Sequence, residues 1–341
     1  MVTAFATPAA ALVARAKGKG KTVDMAAEVD GNSVARRSTV RHVGHVDHPR
    51  PGSDVETATR SVLDDANGQS GTAWRLESRL AGGLLGGAWL VREGALHAVL
   101  KWHGPSSEVP RNPDAAAVVA YIRARGYPTP AWLSAGTTTS GDAYSIQEFV
   151  PGHALERLDV DAAELIVDLV RLQRTLSPPT DLDWSTFMRD HVFDDAVRRD
   201  ELSKLGDVVG VAVADAVALA APYESTVLED HEMVHCDLSL SNILVDDGRL
   251  AGVVDIDAGG RGCAVYDVLA AALNGVVWDA DPEAVARLHA YALESYGAGP
   301  VAVAAATLVF ESIQWFSKSP RLEQNTSRCR QWLAALKALS S

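Results

Sequence analysis

A short stretch in the last third of the chain carries residues that could transfer a phosphoryl group. His235, Asp237 and Asn242 have the spacing His-x-Asp-x4-Asn, and Asp255 follows the next apolar segment. Phosphoryl transfer needs a carboxylate that orients the acceptor hydroxyl and takes its proton, and oxygen ligands that hold Mg²⁺ on the triphosphate. Asp237 is the candidate for the first role, and Asn242 and Asp255 are the candidate metal ligands. Apolar segments flank both polar clusters, which predicts that buried strands present them to a cleft.

Two features earlier in the chain could hold the phosphates of a nucleotide. A glycine-rich segment, whose bare backbone could wrap phosphates, contains Gly82, Gly83, Gly86 and Gly87. Lys101 ends an apolar run, and no other lysine lies between positions 21 and 204. We expect Lys101 to steady the α- and β-phosphates. A plain hairpin turn and a charge at a strand edge are the simpler explanations of the two features.

The apolar periodicity predicts a small β-rich lobe followed by a larger helical lobe, an α+β fold. Strands are predicted at 74–81, 88–92, 95–102 and 144–150. Helices are predicted at 54–65, 114–125 and 161–176, and near 209–221, 267–275, 281–296, 301–317 and 325–339. The predicted domains are a flexible N-terminal extension (1–52), an N-lobe (53–150) that binds nucleotide, and a C-lobe (151–341) with the catalytic loop and the acceptor-binding helices.

From about residue 53 onward the chain resembles the aminoglycoside phosphotransferase and choline kinase-like family, relatives of the protein kinases. The segments that carry the resemblance are His235–Leu244, Val253–Ile256 and Gly262–Ala270. The resemblance implies a two-lobed protein-kinase-like fold, with ATP or GTP and Mg²⁺ as cofactors. The chain departs from the family pattern at Cys236, where glycine is usual, and at Ile256, where an aromatic residue is usual.

The resemblance also implies roles for residues around the catalytic set. Asp267 would be a structural carboxylate that braces the catalytic loop, and Asp114 would pair with Lys101. A hinge that holds adenine through its backbone would consist of Gln147, Glu148 and Phe149. Glu311 falls in the C-terminal helices, where this family builds its acceptor pocket.

Two further polar residues of the motif have less specific expected roles. We expect His235 to be a structural hydrogen-bonding residue rather than a proton shuttle. Asp257 could be a second metal contact, and a satisfied loop carboxylate explains it equally well.

The composition narrows the classes of partner and compartment. With 31 basic and 44 acidic residues the formal net charge is −13, which argues against nonspecific nucleic-acid binding. The chain has no apolar run of the length that a membrane span needs, and its three cysteines fit a reducing compartment. We therefore expect a cytoplasmic protein with a small-molecule hydroxyl acceptor and no nucleic-acid or membrane partner; the oligomeric state stays open.

Three hypotheses for the function remain. The first is an antibiotic O-phosphotransferase that inactivates a drug, which would confer resistance or self-resistance. The second is a kinase of a primary metabolite such as choline, homoserine or a sugar. The third is a nucleotide-binding regulator without catalysis, which the complete set of Asp237, Asn242 and Asp255 disfavours. The sequence argues against a protein kinase, because the twelve positions from Asp255 to Asp267 are too few for a phosphorylatable activation loop, and no Asp-Phe-Gly or Ala-Pro-Glu motif is present.

Overall fold

The structure is a computed structural model that describes residues 53–80, 87–104, 114–278 and 280–340. The predicted N-terminal extension therefore lies outside the described residues. The same holds for three of the four glycines expected to wrap phosphates, namely Gly82, Gly83 and Gly86.

The first part of the fold is a five-stranded antiparallel sheet with strand order β1-β2-β3-β5-β4. Its strands are β1 (Arg75–Arg79), β2 (Ala88–Glu93), β3 (Leu96–His103), β4 (Trp132–Thr137) and β5 (Ala143–Glu148). Helix α1 (Ser53–Ser70) precedes the sheet, and helix α2 (Ala115–Arg123) lies between β3 and β4. Gly94, with φ of 60°, makes the tight β2–β3 turn, and the register then pairs Ala88 with Lys101. This register places Lys101 at the end of the sheet where β2 begins.

One face of this sheet carries its own hydrophobic core. Alternate residues of the central strands, including Val91, Ala98, Leu100 and Ile146, are fully buried. Helix α1 packs there through Val62, Leu63 and Ala66. The prediction of a helix at 54–65 is thus confirmed, although the helix runs further.

The second part of the fold is mostly helical. Its main helices are α3 (Val160–Gln173), α4 (Trp184–Arg189), α5 (Ala196–Ser203), α6 (Asp207–Ala220), α7 (Val265–Val277), α8 (Pro282–Tyr296), α9 (Ala298–Phe316) and α10 (Leu322–Ser340). A π-helix, Asp190–Asp194, joins α4 to α5. Short strands hold the polar motifs: β6 (His153–Ala154), β7 (Glu232–Val234), β8 (Ile243–Asp246), β9 (Arg249–Val253) and β10 (Gly260–Gly262). The predicted α+β architecture, with a small sheet and a larger helical part, is confirmed.

Helix α9 lies at the centre of the helical core. It is long and apolar enough to cross a membrane by length and composition, but 72% of the relevant window is buried inside the fold. Its most extensive contacts are with α6, α7 and α10, and its buried side chains belong to the hydrophobic core of the helical part. The apolar character of α9 is therefore explained by packing within the fold.

Helix α2 falls within the predicted N-lobe, but it packs on the core of the helical part. Val118, Val119 and Ile122 of α2 belong to the same core cluster as the helical part, whereas α1 belongs to the sheet cluster. The backbone carbonyl of Pro128, just after α2, also accepts a hydrogen bond from Val253 of β9 at 2.6 Å. Helix α2 and the connection to β4 thus join the two parts of the fold.

Candidate active site

The candidate catalytic loop is held between two buried strands. Strand β7 leads directly into His235, Cys236 and Asp237, and a short 3₁₀ turn, Leu240–Asn242, leads into β8. All three residues of β7 are buried, whereas the Asp237 side chain is partly exposed. The sequence prediction that buried strands present this carboxylate is therefore confirmed.

Asp267 braces the loop from the first turn of α7. Its carboxylate is fully buried and accepts hydrogen bonds from the backbone amides of His235 (2.6 Å) and Cys236 (2.8 Å). It also accepts one from Gln173 Nε2 at 2.9 Å. Burial raises the pKa of Asp267 to about 7, against the opposing effect of these three donors. The geometry fits the role that the resemblance implies, because the carboxylate fixes the two residues before Asp237.

The backbone of Cys236, whose amide donates to Asp267, is strained. Cys236 has φ of 78°, in the left-handed region that favours glycine, and its side chain is fully buried. Such a conformation costs a non-glycine residue about 1 kcal/mol or more. The family's usual glycine at this position therefore has a local physical reason, and this chain tolerates cysteine there.

His235 is a neutral hydrogen-bonding residue in this arrangement. Its Nδ1 accepts a hydrogen bond from the Asp237 amide at 3.2 Å, so Nε2 carries the proton and donates to the Val254 carbonyl at 3.0 Å. Burial lowers the pKa of His235 to about 4, although nearby Asp255 opposes the shift. These contacts tie the catalytic loop to the chain just before Asp255.

The β8–β9 hairpin brings the candidate metal ligands together. Ile243 pairs with Val253, and the Val254 amide donates to the Asn242 carbonyl at 2.9 Å. Asn242 is therefore adjacent to the segment that carries Asp255, and the left-handed φ of 69° at Asp255 marks a sharp turn after the strand.

The donor set suits a hard divalent cation. Asn242 Nδ2 donates to the Asp237 carbonyl at 2.9 Å, which leaves the amide oxygen of Asn242 as its remaining ligand atom. The Asp255 carboxylate is 46% exposed and already has a cationic partner, Lys101. Among the residues that the structure describes, no group of three or more His, Cys, Asp or Glu could hold a metal ion. A site with two protein oxygens is typical of Mg²⁺, which keeps several of its waters.

Lys101 joins the sheet to the catalytic residues. Its Nζ lies 2.8 Å from Asp255 Oδ1 and 3.5 Å from Asp257 Oδ2. Burial opposes the charged form of Lys101, but the two carboxylates outweigh burial and raise its pKa above the ordinary value. In turn, Lys101 holds the pKa of Asp255 below its usual range despite desolvation.

The contacts of Lys101 differ from the predicted pairing with Asp114. Asp114 stands at the N-terminus of α2, and its side chain makes no capping hydrogen bond there. Lys101 forms ion pairs with Asp255 and Asp257 of the helical part, and a pairing with Asp114 stays a prediction. The physical reason is that the end of β3 faces the β9 side of the cleft, where two carboxylates are close enough to neutralise the ammonium group.

The predicted adenine hinge, residues 147–149, is tied into the sheet by its own hydrogen bonds. The Glu148 amide donates to the Ala131 carbonyl at 2.8 Å, and its side chain pairs with Arg123 at 2.8 Å. Gln147 is buried and donates to Ser145 Oγ at 3.0 Å. The Glu148 amide is thus already used within the protein, and a nucleotide-holding role for residues 147–149, including Phe149, stays a prediction.

Gly87 is the one glycine of the predicted phosphate-wrapping segment that the structure describes. Its φ is 81°, and a Cβ atom there would lie 2.7 Å from Arg79 Nε. The left-handed backbone conformation therefore favours glycine at this position, whereas the flexible Arg79 side chain could move aside.

Comparisons with known proteins agree with this geometry. The model of the phosphotransferase enzyme family (APH) matches residues 77–305, which is about two thirds of the chain. The chain belongs to the phosphotransferase enzyme family. This phosphotransferase gives no match in a sequence comparison with curated proteins.

Solved structures share the fold at low sequence identity. The aminoglycoside phosphotransferase APH(4)-Ia, bound to ADP and hygromycin B, is 16% identical with a TM-score of 0.59, and the match covers 81% of this chain and 98% of that one. A microcompartment-associated aminopropanol kinase is 16% identical with a TM-score of 0.59, covering 84% and 96%. Choline kinase LicA from Streptococcus pneumoniae is 11% identical with a TM-score of 0.55, covering 82% and 99%. These likenesses confirm the protein-kinase-like fold.

Sequence reasoning missed a polar cluster in the helical part. His191 and Arg198 lie within ion-pair distance of the buried Glu311, although they are far from it in the sequence. The only sequence signal for this cluster was a charged residue within an otherwise apolar helical run. Glu311 in α9 gives that signal, and its basic partners do not.

Proposed function

We propose that this phosphotransferase transfers the γ-phosphoryl group of ATP or GTP to a hydroxyl group of a small-molecule antibiotic. The observation that carries the proposal is the joint fixation of Asp237, Asn242 and Asp255. Asn242 bonds the backbone of Asp237, and the β8–β9 hairpin holds Asn242 beside the segment that carries Asp255. A regulator without catalysis would have no need to keep all three side chains in one cleft.

Each residue has a distinct role in the proposed reaction. Asp237 accepts a hydrogen bond from the acceptor hydroxyl, aligns its oxygen with the γ-phosphorus and takes the proton. Asn242 and Asp255 would hold Mg²⁺, which neutralises charge on the phosphate oxygens when it is bound. Lys101 leaves its contact with Asp255 and binds the α- and β-phosphates. His235 and Asp267 take no part in the transfer itself. Their side chains form hydrogen bonds with backbone groups and so fix the catalytic loop.

The antibiotic acceptor is the finer part of the proposal. Two of the structurally similar proteins are antibiotic phosphotransferases, with hygromycin B and spectinomycin as their bound compounds. Two others are named as kinases of aminopropanol and choline. A primary-metabolite kinase is therefore the second candidate function. We further propose that the enzyme acts in the cytoplasm, where ATP is available.

A mass-spectrometric acceptor screen tests the proposal. The purified full chain is incubated with ATP and Mg²⁺, and separately with GTP, against hygromycin B, spectinomycin, macrolides, choline, aminopropanol, homoserine and sugars. We expect one antibiotic to gain the mass of a phosphoryl group. Asp237→Asn should lower turnover by at least about a thousandfold, because the amide cannot take the proton.

The controls separate loss of chemistry from loss of binding. Asp237→Asn should bind ADP as tightly as the wild type, measured by calorimetry. A phosphoryl gain only on a metabolite would replace the antibiotic with the second candidate. Near-full turnover of Asp237→Asn would contradict the role of Asp237, and the absence of any phosphorylated compound would reject the antibiotic assignment.

A further inference from the structure

Gln173, the last residue of α3, lies fully buried beside the carboxylate that braces the catalytic loop. Its Nε2 donates to Asp267 Oδ2 at 2.9 Å and lies 3.3 Å from the Tyr127 hydroxyl oxygen. Asp267 in turn accepts hydrogen bonds from the backbone amides of His235 and Cys236. Gln173 can therefore act on the catalytic loop through Asp267.

The side-chain amide of Gln173 has an unused polar atom. Within the described part of the chain, Gln173 Oε1 is buried and has no hydrogen-bond partner. Such atoms are costly, and native proteins keep few of them. The oxygen and the nitrogen of an amide occupy equivalent positions, so a half-turn about the Cγ–Cδ bond exchanges them. The unpaired oxygen thus points to a second arrangement, in which Oε1 faces a donor.

Asp267 is the group that would need this second arrangement. Its hydrogen-bond partners are three neutral N–H groups, and no cation of the described residues forms an ion pair with it. The charge of the buried carboxylate is therefore compensated only by dipoles. Because the pKa of Asp267 is about 7, the carboxylate and the carboxylic acid both occur near neutral pH.

The titratable residues around Asp267 come from three elements. Tyr127 faces it from the connection after α2, and Tyr266 precedes it in α7. Burial raises the pKa of both tyrosines well above the ordinary value. His235 and Cys236 face it from the catalytic loop, and His235 is neutral above about pH 4. Asp267 is thus the carboxyl group of this network that changes charge near neutral pH.

Protonation of Asp267 reverses what it requires of Gln173. A proton on Oδ2 needs an acceptor, and the Nε2 group at 2.9 Å is a donor. A half-turn of the amide brings Oε1 to this position, where it accepts from the carboxylic acid and the Tyr127 hydroxyl can donate to it. The carboxyl oxygens then keep lone pairs for the amides of His235 and Cys236. Both bonds to the catalytic loop persist.

We propose that Gln173 is a positioning residue for phosphoryl transfer, because its amide holds Asp267 on the catalytic loop in both protonation states of Asp267. Nε2 donates to the carboxylate, and Oε1 accepts from the carboxylic acid. The loop that carries Asp237 thus stays in place when the pH falls below neutral. The effect on turnover rests on the proposed function, whereas the fixation of the loop does not.

Hydrogen exchange of the full chain without nucleotide tests the fixation directly. Mass spectrometry follows the segment 233–238 at pH 6 and pH 9, with rates corrected for intrinsic exchange and expressed relative to the buried segment 209–216 of α6. Wild-type protection should agree within threefold at the two pH values. Gln173→Met should lose at least tenfold protection at pH 6 and less than threefold at pH 9. At pH 9 the loop amides still satisfy the carboxylate, whereas at pH 6 the acid proton has no acceptor.

Tyr127→Phe is the second variant, and it still decides if Gln173→Met does not fold. It removes the hydroxyl that donates to the turned amide, so it should lose at least threefold protection at pH 6 and none at pH 9. Thr307→Val is the matched control, because it deletes another fully buried hydroxyl, which donates to the Val303 carbonyl within α9. Its effect on the loop should be equal at the two pH values.

Turnover with the acceptor found in the screen gives an independent readout. The ratio of wild-type kcat to Gln173→Met kcat should be at least tenfold larger at pH 6 than at pH 9. The KM for ATP should stay within twofold of the wild-type value. Ionisation of Asp237 affects both proteins and cancels in the ratio.

Two results would overturn the role of Gln173. Equal loss of protection at both pH values in Gln173→Met would make Gln173 a packing residue. A wild-type loop that loses more than threefold protection at pH 6 would show that the amide does not hold the acid form. The expected exchange pattern without any phosphorylated acceptor would reject the proposed function alone. Phosphoryl transfer with a pH-independent exchange loss would reject the role of Gln173 alone.

Discussion

At the scale of single residues, Lys101 and Asp255 form a contact that a metal ion would have to break under the proposed function. The ammonium group occupies the carboxylate that would bind Mg²⁺, and Asp257 holds the same ammonium group from the other side. The nucleotide-free protein thereby avoids two uncompensated carboxylates in the cleft. Under the proposed function, binding of nucleotide and metal would release Asp255 from Lys101 and bring Lys101 to the phosphates.

Lys101→Met should expose this exchange. Without nucleotide, the variant should have a free energy of unfolding about 2 kcal/mol lower than that of the wild type. This is less than the cost of breaking a fully buried ion pair, because Asp255 is half-exposed. Mg²⁺ alone should then raise its unfolding temperature more than it raises that of the wild type, because the carboxylates have no competing cation. Differential scanning fluorimetry across Mg²⁺ concentrations measures both effects. An equal response to Mg²⁺ in the two proteins would show that Lys101 does not compete with the metal.

At the scale of elements, helix α1 is part of the sheet core although it lies outside the segment matched by the family. Its apolar face packs on the sheet, and its polar side chains contact the strands. Trp102, next to Lys101, donates to Thr59 Oγ1 of α1 at 3.0 Å. Asp65 accepts two hydrogen bonds from Thr139, which lower the pKa of Asp65. Helix α1 therefore supports the strand that carries Lys101.

Truncation of a buried residue of α1 tests this support. Leu63→Ala should lower the free energy of unfolding by about 2–4 kcal/mol, because Leu63 is buried against the sheet and the smaller side chain leaves a cavity. Arg60→Ala, on the exposed face of the same helix, should change it by less than about 0.5 kcal/mol. Urea unfolding measures both. If Leu63→Ala only frays the helix and leaves the main transition unchanged, α1 is an appended element.

At the scale of the whole molecule, the large helical core keeps polar groups away from water. His289 of α8 is almost fully buried, with its ring 5.7 Å from that of Trp332 in α10. Burial lowers the pKa of His289 to about 4, so the folded protein holds it neutral. The unfolded chain takes up a proton near pH 6.5. Acid therefore favours unfolding through this residue.

His289→Phe should make the protein less sensitive to acid. Between pH 4 and 6.5 the unfolded state binds the proton that the folded state excludes, so stability falls as the pH falls through this window. The contribution of His289 is about 3 kcal/mol between pH 7 and pH 4. The phenylalanine ring keeps the packing against Trp332 and does not titrate. Urea unfolding at several pH values should show a smaller loss for the variant, and equal losses would contradict a neutral buried His289.

The local catalytic motif could be predicted from the sequence because its parts are close in the chain. Asp237, Asn242 and Asp255 fall within one loop and one hairpin, so apolar flanks and a short turn largely fix their neighbourhood. The order of strands and helices was predictable for the same reason, since periodicity is a local property. Strand β4 and the short elements between α3 and α6 were missed, because they lack a sustained apolar period.

The partners of the distant charges were decided only by tertiary structure. Lys101 and Asp255 are separated by more than 150 positions, and Arg198 and Glu311 by 113. Which opposite charge a buried side chain meets depends on how the sheet docks on the helical part and on how α5 crosses α9. Spacing in the sequence carries no information about that packing. The residue types and their local spacing thus determined which chemistry is available. The tertiary fold determined which opposite charges contact the buried ionic side chains.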